Sequence, residues 1–416
     1  MRQWQPWLAF MALLCAVSVN AAETIKLGLN YPSTGRYKEQ GLAQARGALL
    51  AIEEINANGG LNGQTLELLT ANTASKPDKA VANVDQLVEQ GAAMLFGGAS
   101  SAVAIAAGKQ AAQHDRIYFG TLTYANGTTG INGHRHMFRE SYNAWMAAKA
   151  LAQYLKHELH GKRLFYLTAD YNWGHSTEAS LRNFTGTDDT TQHPGVRTQY
   201  PRPRASHFQQ ALQQAKDSGA EVLMLVQFGD DMVKALNEIE RMGLKDSMTI
   251  VVPNLTHGMA RRAGASIMQG VIGAVPWSWQ VPGKYGYQQG QAFVNAFVKR
   301  FNTYPSSSAA SAYSIVYQFK QAAERAGSIK TEALIKALEG HRYIGLKDEQ
   351  YWRSFDHQNI QSVYVVRAHT REHVLQSPLR EDFFDVLMKL PAEQAARTEE
   401  EWQAVRRTAG MSLQLR

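Results

Sequence analysis

Hydrophobic positions along this chain switch between a period of two and a helical period. The first switch, Ile25 to Gly63 (IKLGLNYPSTGRYKEQGLAQARGALLAIEEINANGGLNG), spells a unit of strand, loop and helix. Ile25, Leu27 and Leu29 alternate with polar neighbours, as a half-buried strand requires. Pro32 to Tyr37 supply a turn with Ser, Thr and Gly. Leu42, Ala45, Leu49 and Ile52 then recur at helical spacing, and Gly59 and Gly60 end the helix where a left-handed residue is wanted. A loop at the carboxyl end of a first strand, facing a helix amino terminus, is where open α/β sheets bind ligands. The unit therefore predicts a site as well as a fold.

The same alternation continues almost without interruption. Helix 77–90, with Val81, Val84 and Val88 inward, precedes an apolar strand over 92–96; a helix over 101–113 and a strand over 116–119 follow. After Arg139 a second, similar series begins: helix 144–159, strand 164–168, helix 206–216, strand 222–227, helix 231–242 and strand 248–252. This rhythm predicts parallel sheets with helices on both faces, one architecture encoded twice. Strand 271–275, long helices near Ala292 and Ala312, and a last strand over 361–367 come next, and the Glu- and Arg-rich stretch from Pro391 to Arg416 predicts a surface helix.

Composition adds an address. Arg2 is followed by an apolar run from Trp7 to Val19, and Val19-Asn20-Ala21 offers small residues for a signal peptidase, so residues 1–21 are expected to be removed before Ala22. The run is too short for a stop-transfer helix, and nothing comparable follows. Export to the periplasm is the expectation. Cys15, the only cysteine, lies inside the address label, where a lipoprotein site is disfavoured by the bulky Leu14; the mature chain then has neither disulfides nor a thiolate nucleophile. The roughly 395 remaining residues exceed what one core usually organises, so two lobes are expected. The net charge of +7 is modest for this length. Arg197, Arg202 and Arg204 lack the interleaved aromatics of a nucleic-acid platform, so no nucleic-acid partner is expected.

Four segments in order carry a resemblance: the opening unit, FGGASSAVAIAA at Phe96 to Ala107, TADYNWG at Thr168 to Gly174, and MGLKD at Met242 to Asp246. Together they resemble the periplasmic branched-chain amino acid and amide-binding family, the type I solute-binding proteins of ABC importers. The resemblance implies an α/β fold of two Rossmann-like lobes with parallel-sheet cores, joined by three crossing segments near Glu140, near Gly270 and around Ile344 to Phe355. The lobes would be 22–140 with 271–345 and 141–270 with 346–385, followed by a tail over 386–416. It also implies a small-molecule ligand in the cleft, a membrane permease as partner, and a monomer.

Candidate ligand-binding residues follow. Ser100 and Ser101 succeed Gly97-Gly98 and start a helix, so their hydroxyls and N–H groups suit a carboxylate, as the family uses these positions; ordinary capping is the rival reading. Thr123 and Tyr124, with Thr121, follow the next strand, where relatives offer a carbonyl and a hydroxyl. In the second lobe Trp173 stands where relatives place an aromatic cover, with Tyr171 beside it, and Phe228 follows its strand in the same way. Trp277 and Trp279 suit either the cleft or inter-lobe packing. Amino-acid-binding relatives usually place an acid where this chain has Asn254, and an amide cannot neutralise an ammonium. Asp230 or Asp231 could substitute, though both read as helix caps. The ligand is therefore an amino acid, an amide, or a small carboxylate with an aromatic or other flat body.

Nothing in the sequence gives a positive reason for an enzyme or a cofactor. His134, Arg135, His136 and Arg139 are the best candidate for catalysis, since two histidines at i and i+2 could share a metal or a phosphate, yet no third ligand of predictable spacing accompanies them, and no metal is expected. Asp170 and His175 suit backbone orientation better than proton transfer. Phosphate-loop, nucleophile-elbow and H-E-x-x-H motifs are absent. The function expected is capture of a solute for an ABC importer. The alternatives are a periplasmic ligand sensor for a membrane signalling receptor and an exported enzyme on a related scaffold.

Overall fold

Two sheets organise the chain in the computed structural model, which describes residues 24–158 and 160–416. The expected signal peptide, with Cys15, lies outside the described residues. The first sheet is parallel throughout, in the order β2-β1-β3-β4-β5, from β1 Ile25–Tyr31, β2 Leu66–Asn72, β3 Ala92–Gly97, β4 Tyr118–Gly120 and β5 Met137–Arg139. The second has seven strands in the order β15-β14-β10-β9-β8-β6-β7, from β6 Leu164–Ala169, β7 Gly195–Thr198, β8 Val222–Val226, β9 Thr249–Val252, β10 Ile272–Val275, β14 Val363–Ala368 and β15 Phe384–Leu390. Strands β6 to β10 run parallel, whereas β14 and β15 add an antiparallel edge. A small antiparallel sheet of β11 Arg342–Ile344, β12 Glu349–Trp352 and β13 Asn359–Ile360 lies between them in sequence.

Burial corrects two details of the opening unit. β1 is buried along almost its whole length, Gly28 and Asn30 included, because it runs between β2 and β3 and is covered on both faces. In the helix Lys38–Ala57, Ile52 points inward as expected, but Leu49 is exposed and Leu42 and Ala45 are only half-buried. The inward face is instead built from Gln44, Gly47, Ala48, Ala51 and Ile55. It packs against the helix Ser307–Ala326 so closely that a Cβ on Gly47 would stand 2.1 Å from the Ala309 carbonyl oxygen. Small residues were selected here for backbone approach, which an apolar-stripe pattern cannot reveal. In the helix Pro77–Glu89 the buried positions are Ala80, Val84 and Leu87.

Three crossings join the two sheets. The first leaves β5 through Glu140 to Asn143 into the helix Ala144–Glu158. The second leaves β10, which hydrogen-bonds to β9 and β14 of the second sheet; a boundary at residue 271 would wrongly assign that strand to the first lobe. The helices Ser307–Ala326 and Thr331–Leu338 then close over the first core beside Leu29, Phe96 and Phe119. The third passes through the small sheet to β14 and β15, and β15 continues to Leu390, past the expected boundary at 385.

Lys347 ties the crossings together. Its ammonium, buried at 3 % exposure, donates to the Pro276 carbonyl at 2.6 Å, Gln361 Oε1 at 2.7 Å and the Ser362 carbonyl at 3.0 Å. Gln361 in turn donates to the Glu140 carbonyl of the first crossing. Burial pulls Lys347 down to about 8, so it still carries its proton at neutral pH, with every ammonium N–H engaged.

The tail is less peripheral than its charge suggests. The helix Glu399–Thr408 has the capping box Thr398/Glu401, and its Trp402, 1 % exposed, donates to the Thr129 carbonyl at 2.9 Å. Arg406 donates to the carbonyls of Gly130 and Gly133. One tryptophan thus anchors an otherwise polar helix to the 126–133 loop of the first lobe.

Candidate functional site

Loops at the carboxyl ends of β1, β3 and β4 meet those at the ends of β6, β8 and β9, the position at which parallel sheets offer ligand sites. Phe228 stands at the meeting point. Its ring lies 5.6 Å from Tyr37 and 5.9 Å from Tyr124, both of the first lobe, and 5.8 Å from Trp173 of its own lobe. Tyr124 stacks on Tyr142 of the first crossing at 5.1 Å, and Tyr171 stacks on Tyr200 at 4.0 Å. Burial holds the phenols of Tyr37, Tyr124, Tyr142 and Tyr171 well above their ordinary range, so they are neutral hydroxyls. The lobes approach closely here: Gly229 has φ +62°, and a Cβ on it would meet the Tyr37 ring at 3.0 Å.

The seven sequence-predicted residues divide into four groups. Tyr124, Trp173 and Phe228 form the aromatic cluster. Asn254 sits behind it with no exposure, accepting from Trp173 Nε1 at 3.2 Å and donating to the Tyr142 hydroxyl at 2.7 Å, which donates to the Ala274 carbonyl. The amide therefore orients two rings. Ser101 and Thr123 shape the loop: Ser101 Oγ accepts from Ala125 N at 3.0 Å, and the hydroxyls of Thr123 and Thr128 are 2.8 Å apart. Ser100, the N-cap residue of the helix Ser101–Gln113, makes no side-chain capping bond and lines an open cavity of about 780 Å³ between the lobes.

Charged side chains of both lobes ring that cavity. Gly35, Arg36, Lys76 and Asp78 face Tyr171, Tyr200, Arg202, Asp230 and Asp231 across it. Arg36 Nη1 reaches Asp231 Oδ2 at 2.6 Å, bridging the lobes, and its guanidinium lies 4.8 Å from the centre of the Tyr200 ring. Asp230 is paired with Arg262 at 2.7 Å. On the inner side of the cluster a space of about 20 Å³, room for one water, is lined by Thr121, Tyr124, Glu140, Ser307 and Lys347 among others. The hydroxyls of Thr121, Tyr124 and Ser307 are buried there without hydrogen-bond partners.

Sequence reasoning passed over Arg36, Tyr37, Tyr142 and Tyr200. Arg36 and Tyr37 lie in the very loop that the opening unit marks as site-forming, so their signal was present. Tyr142 and Tyr200 become visible only once the crossing and the loop after β7 are in place. The remaining candidates fall outside the cluster. Trp277 donates to the Leu346 carbonyl and packs on Phe293, and Trp279 stacks on Tyr304 at 3.8 Å, which is crossing and inter-lobe packing. Asp170 and His175 form an exposed pair at 2.7 Å. His134 is held down to about 4 by burial, with His136, His357 and Lys109 adding to the shift, and Arg135 is paired with Glu332 and Glu339.

Arg139 has a different role from the one its neighbours suggest. Its guanidinium, with no exposure, donates to Gln358 Oε1 at 2.6 Å, Thr129 Oγ1 at 2.7 Å and the carbonyls of Thr123 and Ala125. It therefore fixes the loop that carries Tyr124. Burial lowers it to about 9, which leaves it charged at neutral pH.

Two lobes built on parallel strands, three crossings and loops of both lobes meeting between them give the architecture of a type I periplasmic binding protein. Residues 24–372 match the family model described as periplasmic binding protein, and the chain belongs to that family. It is similar to Leu/Ile/Val-binding protein homolog 4 of Brucella melitensis, 23 % identical over 367 residues covering 85 % of this chain and 86 % of the relative. Among solved structures, a periplasmic binding protein from Burkholderia mallei superposes with a TM-score of 0.81 at 23 % identity, covering 91 % of this chain and 97 % of that one. A solute-binding protein of an ABC transporter from Rhodopseudomonas palustris, in complex with 3,4-dihydroxybenzoic acid, superposes with 0.76 at 18 % identity, covering 89 % and 98 %.

Proposed function

We propose that this protein is the exported solute-binding component of an ABC importer, acting as a monomer that closes over one small carboxylate with a flat or aromatic body and presents the closed form to a membrane permease. The observation that carries the reading is the ring set around Phe228, contributed by both lobes, beside a cavity that Ser100 and a helix N-terminus open onto. The first N–H groups of the helix Ser101–Gln113 suit a carboxylate. Stacked rings suit a flat body. Asn254 is a neutral amide engaged by Trp173 and Tyr142, so it supplies no counter-charge for an ammonium, and Asp231 in the neighbouring cavity is already paired with Arg36, which favours a carboxylate without an ammonium. The relatives support both ligand types: one is named for leucine, isoleucine and valine, and another holds a dihydroxybenzoate. Among the described residues no helix is long and apolar enough to cross a membrane, which accords with an exported domain that meets its permease from outside.

A thermal-shift screen over benzoates, aromatic amino acids, aliphatic amino acids and amides tests the ligand class. A ligand at a hundred times its dissociation constant adds about 2.7 kcal/mol to stability by mass action. Aromatic carboxylates are expected to raise the melting temperature and their amides are not. Equal shifts by acid and amide would overturn the carboxylate assignment.

Closure is a population shift stabilised by contacts across the cleft. Arg36 and Asp231, whose side chains are 14 % and 6 % exposed, form such a contact. Arg36→Ala is expected to weaken the closed form by about 1.4 kcal/mol, tenfold in population. Small-angle scattering should show a larger radius of gyration for the variant; an unchanged profile would remove the pair from the closing contacts.

A further inference from the structure

We infer that His369, His373 and Asp382 form a binding site for one divalent transition-metal ion of the zinc type, outside the cleft, at the turn joining β14 to β15. Each residue offers one donor atom, and all three atoms lie within 4.8 Å of one another. The two imidazoles stack face to face with centroids 3.8 Å apart, and His373 Nε2 lies 2.8 Å from Asp382 Oδ2. A hydrogen bond between His373 and Asp382 accounts for that one distance. Stacking holds the His369 ring against His373 and so brings a third donor within reach of the same ion.

The local chain is built to hold this arrangement. His369 leaves the end of β14 and donates its N–H to the Phe383 carbonyl at 2.9 Å, which fixes it beside the start of β15. Thr370 caps the short helix Arg371–Gln376 by accepting from His373 N, so His373 stands one turn after His369. Leu379 and Arg380 then adopt φ of +57° and +55°, folding the chain back, and Asp382 N donates to Ser377 Oγ at 3.2 Å. The second carboxylate oxygen of Asp382 accepts from Gln280 Nε2 at 3.0 Å, which orients the first toward the histidines. Metal-ligating carboxylates elsewhere are held by such outer hydrogen bonds.

Donor chemistry selects the ion. Two imidazoles and one carboxylate suit zinc and its neighbours, with water as the fourth ligand, whereas calcium and magnesium take oxygen sets. Zinc bonds of about 2.0–2.1 Å place tetrahedral ligands about 3.3 Å apart, so the donors must shift by up to about 1.5 Å and the two imidazoles must turn out of their stack to aim their in-plane lone pairs at one ion. His373 and Asp382 have side chains 45 % and 21 % exposed, so an ion can enter from solvent. Neither the cavity nor the aromatic cluster shares a residue with this site, so solute binding and metal binding are separate properties.

Calorimetric titration of the intact protein with zinc chloride tests the assignment. One equivalent is expected to bind, and His369→Gln, His373→Gln and Asp382→Asn should each weaken it by more than tenfold while circular dichroism stays native. Gln280→Ala, which removes a positioning residue, should weaken it by about tenfold without abolishing the site. Cobalt substitution should give the visible absorption of a four-coordinate ion in the native protein and lose it in His369→Gln. Absence of zinc binding, unchanged affinity in the three ligand variants, or a loss that follows His136→Gln instead would overturn the proposal.

Discussion

Arg139→Met is expected to lower the free energy of unfolding by about 4 kcal/mol. Methionine fills the space of the aliphatic stem but donates nothing; Gln358 Oε1 and the Thr123 carbonyl keep only the longer bonds from Thr129 Oγ1 and Ser141 Oγ, and the Ala125 carbonyl loses its guanidinium donor outright. A buried acceptor without a partner costs about 1–3 kcal/mol, and the relief from no longer burying a cation offsets only part of that sum. Arg139→Lys should recover a fraction, because an ammonium has three donors and no planar fork. Urea unfolding followed by tryptophan fluorescence and circular dichroism measures the loss. A change below about 1 kcal/mol would show that the loop acceptors find other donors. Because the same acceptors belong to the loop carrying Tyr124, ligand affinity in Arg139→Lys should fall even where the fold survives.

The alternating strand and helix pattern made the lobes legible because each element buries a face of its own, and that face leaves a period in the sequence. Strands β3, β6, β8 and β9 and the helix Ser101–Gln113 are found within a residue or two of where the pattern put them. What escaped the pattern depends on partners distant in the chain. Leu49 reads as core until the helix Ser307–Ala326 is placed against Gly47. Strand β15 has mixed polarity, since an edge strand is buried on fewer sides, and the alternation there is weak. Trp402 reads as one apolar residue on a charged helix, although the Thr129 carbonyl and Phe355 make it an anchor.

At the cleft the legible part was the aromatics that follow strand ends. Trp173, at the start of the helix Asn172–Thr185, and Phe228 and Tyr124, on loops of the two lobes, meet through Phe228, because rings just past strand ends would otherwise face solvent. The polar residues were harder to place, because a hydroxyl or amide can serve the chain or a ligand equally well. Ser101, Thr123 and Asn254 all have protein partners, so each holds other parts of the site in position. Arg139, grouped by sequence with two histidines, belongs with these positioning residues.

Trp173→Ala should show how far architecture and binding coincide. From sequence alone the substitution is expected to weaken ligand binding by roughly 1 to 3 kcal/mol and leave the lobe folded. The ring is only 2 % exposed, its edge packs on Phe228, and its Nε1 supplies a donor to Asn254 Oδ1, which is itself fully buried. Truncation therefore opens a cavity in the core of the second lobe and leaves an amide oxygen unpaired, and the expected cost in stability is about 3 to 5 kcal/mol. Trp173→Phe separates the two losses, since it keeps most of the apolar surface and removes only the donor; about 1 to 2 kcal/mol is expected for it. Urea unfolding of both variants, paired with calorimetry of whichever carboxylate stabilises the native protein, distinguishes the roles. If the alanine variant keeps native affinity while losing stability, Trp173 is a wall of the lobe and the ligand touches only Tyr37, Tyr124 and Phe228. If affinity falls in both variants beyond the change in stability, the indole itself covers the ligand, and the hydrogen bond to Asn254 is what sets its angle.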